Sequence, residues 1–244
     1  MKLHILSTGS KGNCYLLIDS QGHILCLEAG VRFDLIKKAI DYRINKVDAC
    51  LITHEHLDHC KSAKDMIGAG VTTYASNGTH EKMKTGDSFF AKKAKSFEMV
   101  TICNRWKVIP FPIKHDAAEP MGYLISHKEM GNILFATDTY YIEHQFPDLN
   151  NIIVEANYDE EILMAKAPGF LANRILKSHM SIDTMIQFIT TTDTKQVNNL
   201  VVCHLSDSNS NEKEFERRIK EETGCMQVHI ATNGTTIDFN KTPF

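Results

Sequence analysis

The chain has 244 residues, 43% of them hydrophobic and 23% charged, the composition of a folded globular protein long enough to bury a substantial core. Its formal net charge of −3 excludes a protein that coats nucleic acid by charge alone, while leaving room for a local basic strip. Seven cysteines without a C-x-x-C pair argue against a disulfide framework or a zinc ribbon, and suit a reducing cytoplasm.

The run LHIL at 3–6 reads as a strand, too short for a signal-peptide core or a membrane span. A tight turn, STGSKGN, follows it, then strands at 14–20 and 23–29 and a helical pattern over 34–43. ACLIT at 49–53 is continuously apolar, hence a buried strand, and it ends directly on the stretch HEHLDH. The spacing predicts one helix over 57–69 and a short strand at 71–75. The polar, lysine-rich segment 76–97 reads as a short helix and an exposed loop. Strand candidates follow at 98–103, 106–113, 122–126 and 132–137. From 150 the texture becomes alternating: strands at 151–156 and 199–204, helices at 159–166, 170–177, 182–192 and 211–223, and two terminal strands in VHIA and TTIDF. This order predicts an α/β (α+β) fold in which two sheets pack face to face with helices outside, a four-layer αβ/βα sandwich. No repeat or linker divides the chain, so a single domain of two αβ halves is expected over 1–244.

His54, His56, Asp58 and His59 crowd three imidazoles and a carboxylate into six positions. Such groups are costly to bury unless something binds them, and a divalent metal is the usual partner. On an extended segment, positions i and i+2 point the same way, so His54 and His56 can share one ion. The chain then turns into a helix, which swings Asp58 and His59 towards a second position. Four residues cannot fill two metal shells, and further ligand types stand just after apolar runs: His115 after VIPFPIK, Asp138 after ILFAT and His204 after NLVVC. Nitrogen and oxygen donors without thiolate suit Zn²⁺, Mn²⁺ or Fe²⁺. The plainer reading, a histidine-rich surface loop, explains none of the three downstream residues.

HEHLDH followed at these intervals by single His, Asp and His resembles the metallo-β-lactamase fold over nearly the whole chain. The resemblance implies that His54, His56 and His115 hold one metal, that Asp58, His59 and His204 hold the other, and that Asp138 bridges them. It also implies an aspartate bracing the histidine loop, where this chain has Glu28, one methylene longer. Finer matches in STGSKGNCYLL, KHDAAEPMGYLI, ATDTYYI, SHMSID and HLSDSNS are similar to the YycJ/WalJ group, associated with 5′–3′ exonuclease activity on double-stranded DNA. The order is similar, more distantly, to the phosphodiesterase of phosphonate metabolism and to tRNA-processing RNase Z. Two departures stand out: Ala156-Asn157-Tyr158 replaces an Asn-His pair, and SHMSI is a loose version of GHLSN.

By itself, His179 reads as a capping-loop residue before a helix with Ser181 as N-cap. The resemblance makes it a phosphate contact and general acid beside an anion-attracting helix N-terminus. Cys60 and Cys203 flank ligands but are expected in the core, Lys92, Lys93 and Lys95 on a solvated face, and Tyr140 and Tyr141 in the cleft or in packing. The expectation is two-metal hydrolysis of a phosphodiester in nucleic acid, DNA by the resemblance, with Asp58 orienting the attacking water. No G-x-S-x-G serine elbow and no membrane association are expected. The rivals are hydrolysis of a cyclic phosphodiester, thioester, lactam or lactone on the same fold, and a nucleic-acid-binding scaffold that cleaves nothing.

Overall fold

The computed structural model describes residues 1–166, 169–225 and 227–242. The first half runs β1 (Lys2–Ser7), β2 (Cys14–Ile18), β3 (Ile24–Leu27), α1 (Phe33–Ala39), β4 (Val47–Leu51), α2 (Leu57–Cys60), α3 (Ala63–Gly68), β5 (Thr73–Ala75), α4 (Asn77–Met83) and β6 (Ala91–Lys93). Next come β7 (Val100–Ile102), β8 (Trp106–Pro112), β9 (Met121–His127), β10 (Gly131–Ala136) and β11 (Leu149–Glu155). The chain closes with α5 (Glu160–Lys166), α6 (Phe170–Ser178), α7 (Ile182–Thr191), β12 (Asn199–Cys203), α8 (Glu212–Thr223), β13 (Val228–Ile230) and β14 (Thr236–Asp238).

The strands form two seven-stranded sheets, ordered β14-β1-β2-β3-β4-β5-β6 and β13-β12-β11-β10-β9-β8-β7. In each, part of the sheet is antiparallel and the stretch interleaved with helices, β3 to β6 or β10 to β13, is parallel. Parallel strands covered on both faces need no polar side, which is why every residue of β11 is buried. Between the sheets, Leu3, Tyr15 and Leu25 of one face meet Trp106, Tyr123 and Phe135 of the other. The outer face of the first sheet packs on Ile36, Met66 and Met83 of α1, α3 and α4. The outer face of the second packs on Met185, Ile189, Phe215 and Ile219 of α7 and α8. The four layers of an αβ/βα sandwich result.

Three expectations need correction. The helix over 57–69 is two pieces, because the Ser62 hydroxyl donates to the carbonyls of Ala29 and Val31 and draws the chain out of register. The helix over 34–43 stops at Ala39, since Asp41 and Tyr42 adopt positive φ. Ala91–Lys93, read as loop, pairs parallel with β5 as an edge strand. Its lysines suit an exposed edge and carry no apolar alternation to betray a strand. No helix among the described residues is long and apolar enough to cross a membrane.

Candidate metal centre

Six strands deliver polar side chains to one end of the sandwich. β3 leads to Glu28, β4 to His54, β8 to His115, β10 to Asp138, and β12 to His204, while β11 ends on Glu155. His54 Nε2 lies 3.0 Å from His56 Nδ1, which lies 3.1 Å from His115 Nε2. Asp138 Oδ2 faces this trio, 3.7 Å from His115 and 4.0 Å from His54. A second set stands beside it. His59 Nε2 is 3.4 Å from Asp58 Oδ2 and 3.3 Å from Asp138 Oδ1, and His204 Nε2 is 3.7 Å from Asp58 Oδ2. Asp138 thus turns one oxygen to each set. All seven predicted ligand residues meet here, although 150 positions separate the first from the last.

Neighbours fix how these rings are turned. The His115 Nδ1–H donates to the Ser178 carbonyl at 2.8 Å, which leaves Nε2 to face the trio. Thr53 Oγ1 lies 2.9 Å from His54 Nδ1 and aims that ring in the same way. Glu28 accepts from the Thr53 backbone N–H and approaches His59 Nδ1 to 3.5 Å, so the longer side chain still reaches the histidine loop. The STGSKGN turn runs against the same loop: Asn13 donates its backbone N–H to the Asp58 carbonyl, and its amide lies 3.2 Å from His59 Nε2. That approach requires Gly30, where a Cβ would stand 1.6 Å from the Asp58 carbonyl oxygen. Asn157, in the position of the departure noted above, donates to the His204 carbonyl at 2.7 Å, and Thr8 Oγ1 accepts from the His204 N–H. Glu28, Asp138 and His204 all hold left-handed φ of 65°, 51° and 55°. Each such residue costs roughly 1–3 kcal/mol, and conformations of this kind gather at sites where function requires them.

The two sets differ in charge. Burial holds the His54 and His115 rings below their ordinary pKa, so they are neutral. Burial opposes protonation of His59 and His204 too, but Asp138 and Asp58 outweigh it, raising His59 well above its usual value and His204 to about 10. Burial would lift Asp138, yet the facing His204 and His59 hold it well below the carboxylate range. Burial raises Glu28, with His59 and Thr53 offsetting part of the effect.

The residues present fit a pair of divalent cations. Three ring nitrogens converge on one point, and the buried His204 Nε2 has no hydrogen-bond partner among the described residues while it faces the Asp58 carboxylate at 3.7 Å. The donors are imidazole and carboxylate throughout, a set that admits Zn²⁺, Mn²⁺ and Fe²⁺.

His179 stands at the rim, its ring stacked on His204 with centroids 5.3 Å apart. Its Nδ1–H donates to Glu155 Oε2 at 3.1 Å. Burial depresses its pKa, but Glu155 and Asp138 more than compensate, and the pKa is raised. Ser181 caps α7 as expected, accepting from the Thr184 N–H. Glu155 itself is the residue that sequence reasoning passed over. It is fully buried, also accepts the Thr139 N–H, and ends an apolar strand just as His115 and His204 follow theirs. The rule that found those two would have found it. Glu155, His179, Asp138 and His204 also form a third group of potential donors. Cys203 lies in the core between the sheets, and Cys60 packs partly on the outer core. Lys92 lies over the Phe89 ring and Lys95 pairs with Glu98, while Tyr140 and Tyr141 are about half exposed beyond Asp138.

A sequence model of the β-lactamase superfamily domain matches residues 33–205, more than two-thirds of the chain. The chain belongs to that superfamily. The superfamily comprises metal-dependent hydrolases, and its metallo-β-lactamase fold implies divalent metal ions. Two relatives align over almost their entire length. The exodeoxyribonuclease YycJ of Bacillus anthracis is 29% identical over 92% of this chain and 91% of its own. The exodeoxyribonuclease WalJ of Streptococcus pneumoniae is 27% identical over 98% and 92%. Among solved structures, the metallo-β-lactamase fold protein YhfI of Bacillus subtilis superimposes with a TM-score of 0.75 over 97% of this chain and 98% of its own, at 15% identity.

Proposed function

We propose that this member of the superfamily is a dinuclear metal-dependent phosphodiesterase that degrades double-stranded DNA from its 5′ end, in a reducing cytoplasm. The observation that carries the reading is Asp138, with one oxygen towards the His54–His56–His115 trio and the other towards Asp58, His59 and His204. The relatives named exodeoxyribonucleases support nucleic acid as the polymer.

His54, His56 and His115 would hold one cation, Asp58, His59 and His204 the other, and Asp138 both. When bound, the pair supplies an attacking water that ionises near neutral pH and positive charge for the phosphoryl oxygens. Asp58 is part exposed beside the second set and orients that water. His179, favoured as the imidazolium by Glu155 and Asp138, keeps its Nδ1–H on Glu155 and presents its Nε2–H to contact the phosphate. That Nε2 proton passes to the departing oxygen and leaves a neutral ring. Glu155 acts through His179 and is a positioning residue.

The test compares end-labelled duplex DNA, single-stranded DNA and RNA in Mn²⁺ or Zn²⁺, for wild type and His179→Ala. Stepwise release of nucleotides from the duplex 5′ end, reduced about 100-fold or more in the variant, is expected. Faster turnover of a thioester or lactam than of bis-p-nitrophenyl phosphate would contradict the reading.

A further inference from the structure

A groove of about 280 Å³ opens beside the metal centre, between the α2–α3 segment and α4. Leu57, Cys60, Lys61, Lys64, Lys82 and Met83 line it. These residues interleave with the proposed ligands: Leu57 sits between His56 and Asp58, and Cys60 and Lys61 follow His59. One wall of the groove is therefore built on the same segment that carries the proposed ligands. The next turn carries Lys64, and α4 supplies Lys82 to the wall.

Lys61, Lys64 and Lys82 are all exposed, and none has an ion-pair partner within 4 Å among the described residues. Some surface cations elsewhere, Arg32, Arg43, Lys95, Arg217, Arg218 and Lys220, sit on a carboxylate, while other lysines such as Lys38 and Lys107 also lack one among the described residues. What distinguishes Lys61, Lys64 and Lys82 is that they share one groove on the segment that carries the proposed ligands. Three unneutralised ammonium groups around one groove, in a chain of net charge −3, make a local positive field that the fold does not need. The one acid in the lining is Glu55, and its Oε1 is engaged by the Ala118 N–H. Leu57 is 75% exposed, an apolar surface at the groove mouth suited to a sugar or a base face. Met83 and Cys60 give an apolar floor.

We propose that this groove seats the phosphodiester backbone of the nucleic-acid strand beyond the bond to be cleaved, with Lys61, Lys64 and Lys82 as positioning residues, an inference that rests on the nuclease reading. Backbone contacts of this kind fix register without reading sequence, and they release counterions on binding.

The experiment measures binding of a fluorescent DNA duplex by anisotropy, in chelator so that nothing is cut, over a range of salt. Wild type is compared with the triple variants K61A/K64A/K82A and K61R/K64R/K82R. The alanine variant should bind at least about tenfold more weakly at about 0.1 M salt, and its salt slope should fall by about three. The arginine variant, which keeps the charge, should bind like wild type. An alanine variant with wild-type affinity and slope overturns the groove and leaves the nuclease reading standing. So does an arginine variant as weak as the alanine one, since charge would then not be what matters. A wild-type protein that hydrolyses bis-p-nitrophenyl phosphate but neither binds nor cuts DNA removes the nuclease reading, and the groove with it.

Discussion

The two histidine sets would meet cations in different protonation states. His54 and His115 are neutral through burial and need lose no proton to bind a metal. His59 and His204 are held protonated by Asp138 and Asp58, so an ion must displace protons to enter their set. Their pKa values are raised, so protons compete more strongly as pH falls. Elemental analysis of protein equilibrated with limiting Zn²⁺ should find close to two ions per chain at about pH 8 and close to one at about pH 6. Simultaneous loss of both ions would contradict this account. His179 gives a second test. Its raised pKa extends the protonated form to higher pH, and the rate should decline as pH rises through that value. Glu155→Gln removes the nearest carboxylate charge, so the decline should begin at lower pH and kcat should fall about 10- to 100-fold with KM little changed. A pH–rate profile identical to wild type would remove Glu155 from the mechanism.

At the level of elements, the centre is shaped by loops pressed against one another. The 8–13 turn touches His59 through Asn13 and His204 through Thr8, so one short loop buttresses the second set from two sides. In the AAEPMGY segment, Ala118 binds Glu55 and Glu119 accepts the Gly78 N–H, which ties that segment between the histidine loop and α4. Its glycine, Gly122, is needed because a Cβ there would lie 2.3 Å from the Phe111 ring. That explains a motif whose residues ligate nothing. Gly30→Ala is the sharpest probe of this packing: its methyl would overlap the Asp58 carbonyl, and the variant should lose roughly 3 kcal/mol or more of stability. Thermal unfolding checks it, and an unchanged melting temperature would show that the turn and the helix separate at little cost. Elements were legible wherever apolar periodicity ran unbroken: α7 matches its expected bounds to within a residue, while β4 and β11 are present but begin two residues earlier than read. Boundaries were not legible at Ser62, where tertiary hydrogen bonds interrupt the helix, nor at Ala91–Lys93, whose partner strand lies in β5.

For the molecule as a whole, topology does what sequence distance hides. Parallel strands place their C-terminal ends on one side, so residues following β4, β10 and β12 arrive together although far apart in the chain. This is why His115, Asp138 and His204 could be read from one pattern, a ligand type just past an apolar run, and joined to the HEHLDH stretch that itself follows such a run. The layers were readable from the order of elements: strands first and then strand–helix alternation suggested two sheets face to face with helices outside, and helices do cover both outer faces. What sequence could not give was the mutual arrangement, above all the Glu155–His179 contact and the unpaired lysines gathered around one groove. The central claim is that the seven residues surround two cations. Anomalous diffraction from crystals loaded with Zn²⁺ or Mn²⁺ tests it most directly. It should give two peaks, one among His54, His56 and His115 and one among Asp58, His59 and His204, both in contact with Asp138. A single peak on Asp138, Glu155, His179 and His204, or none at this end of the sandwich, would contradict it.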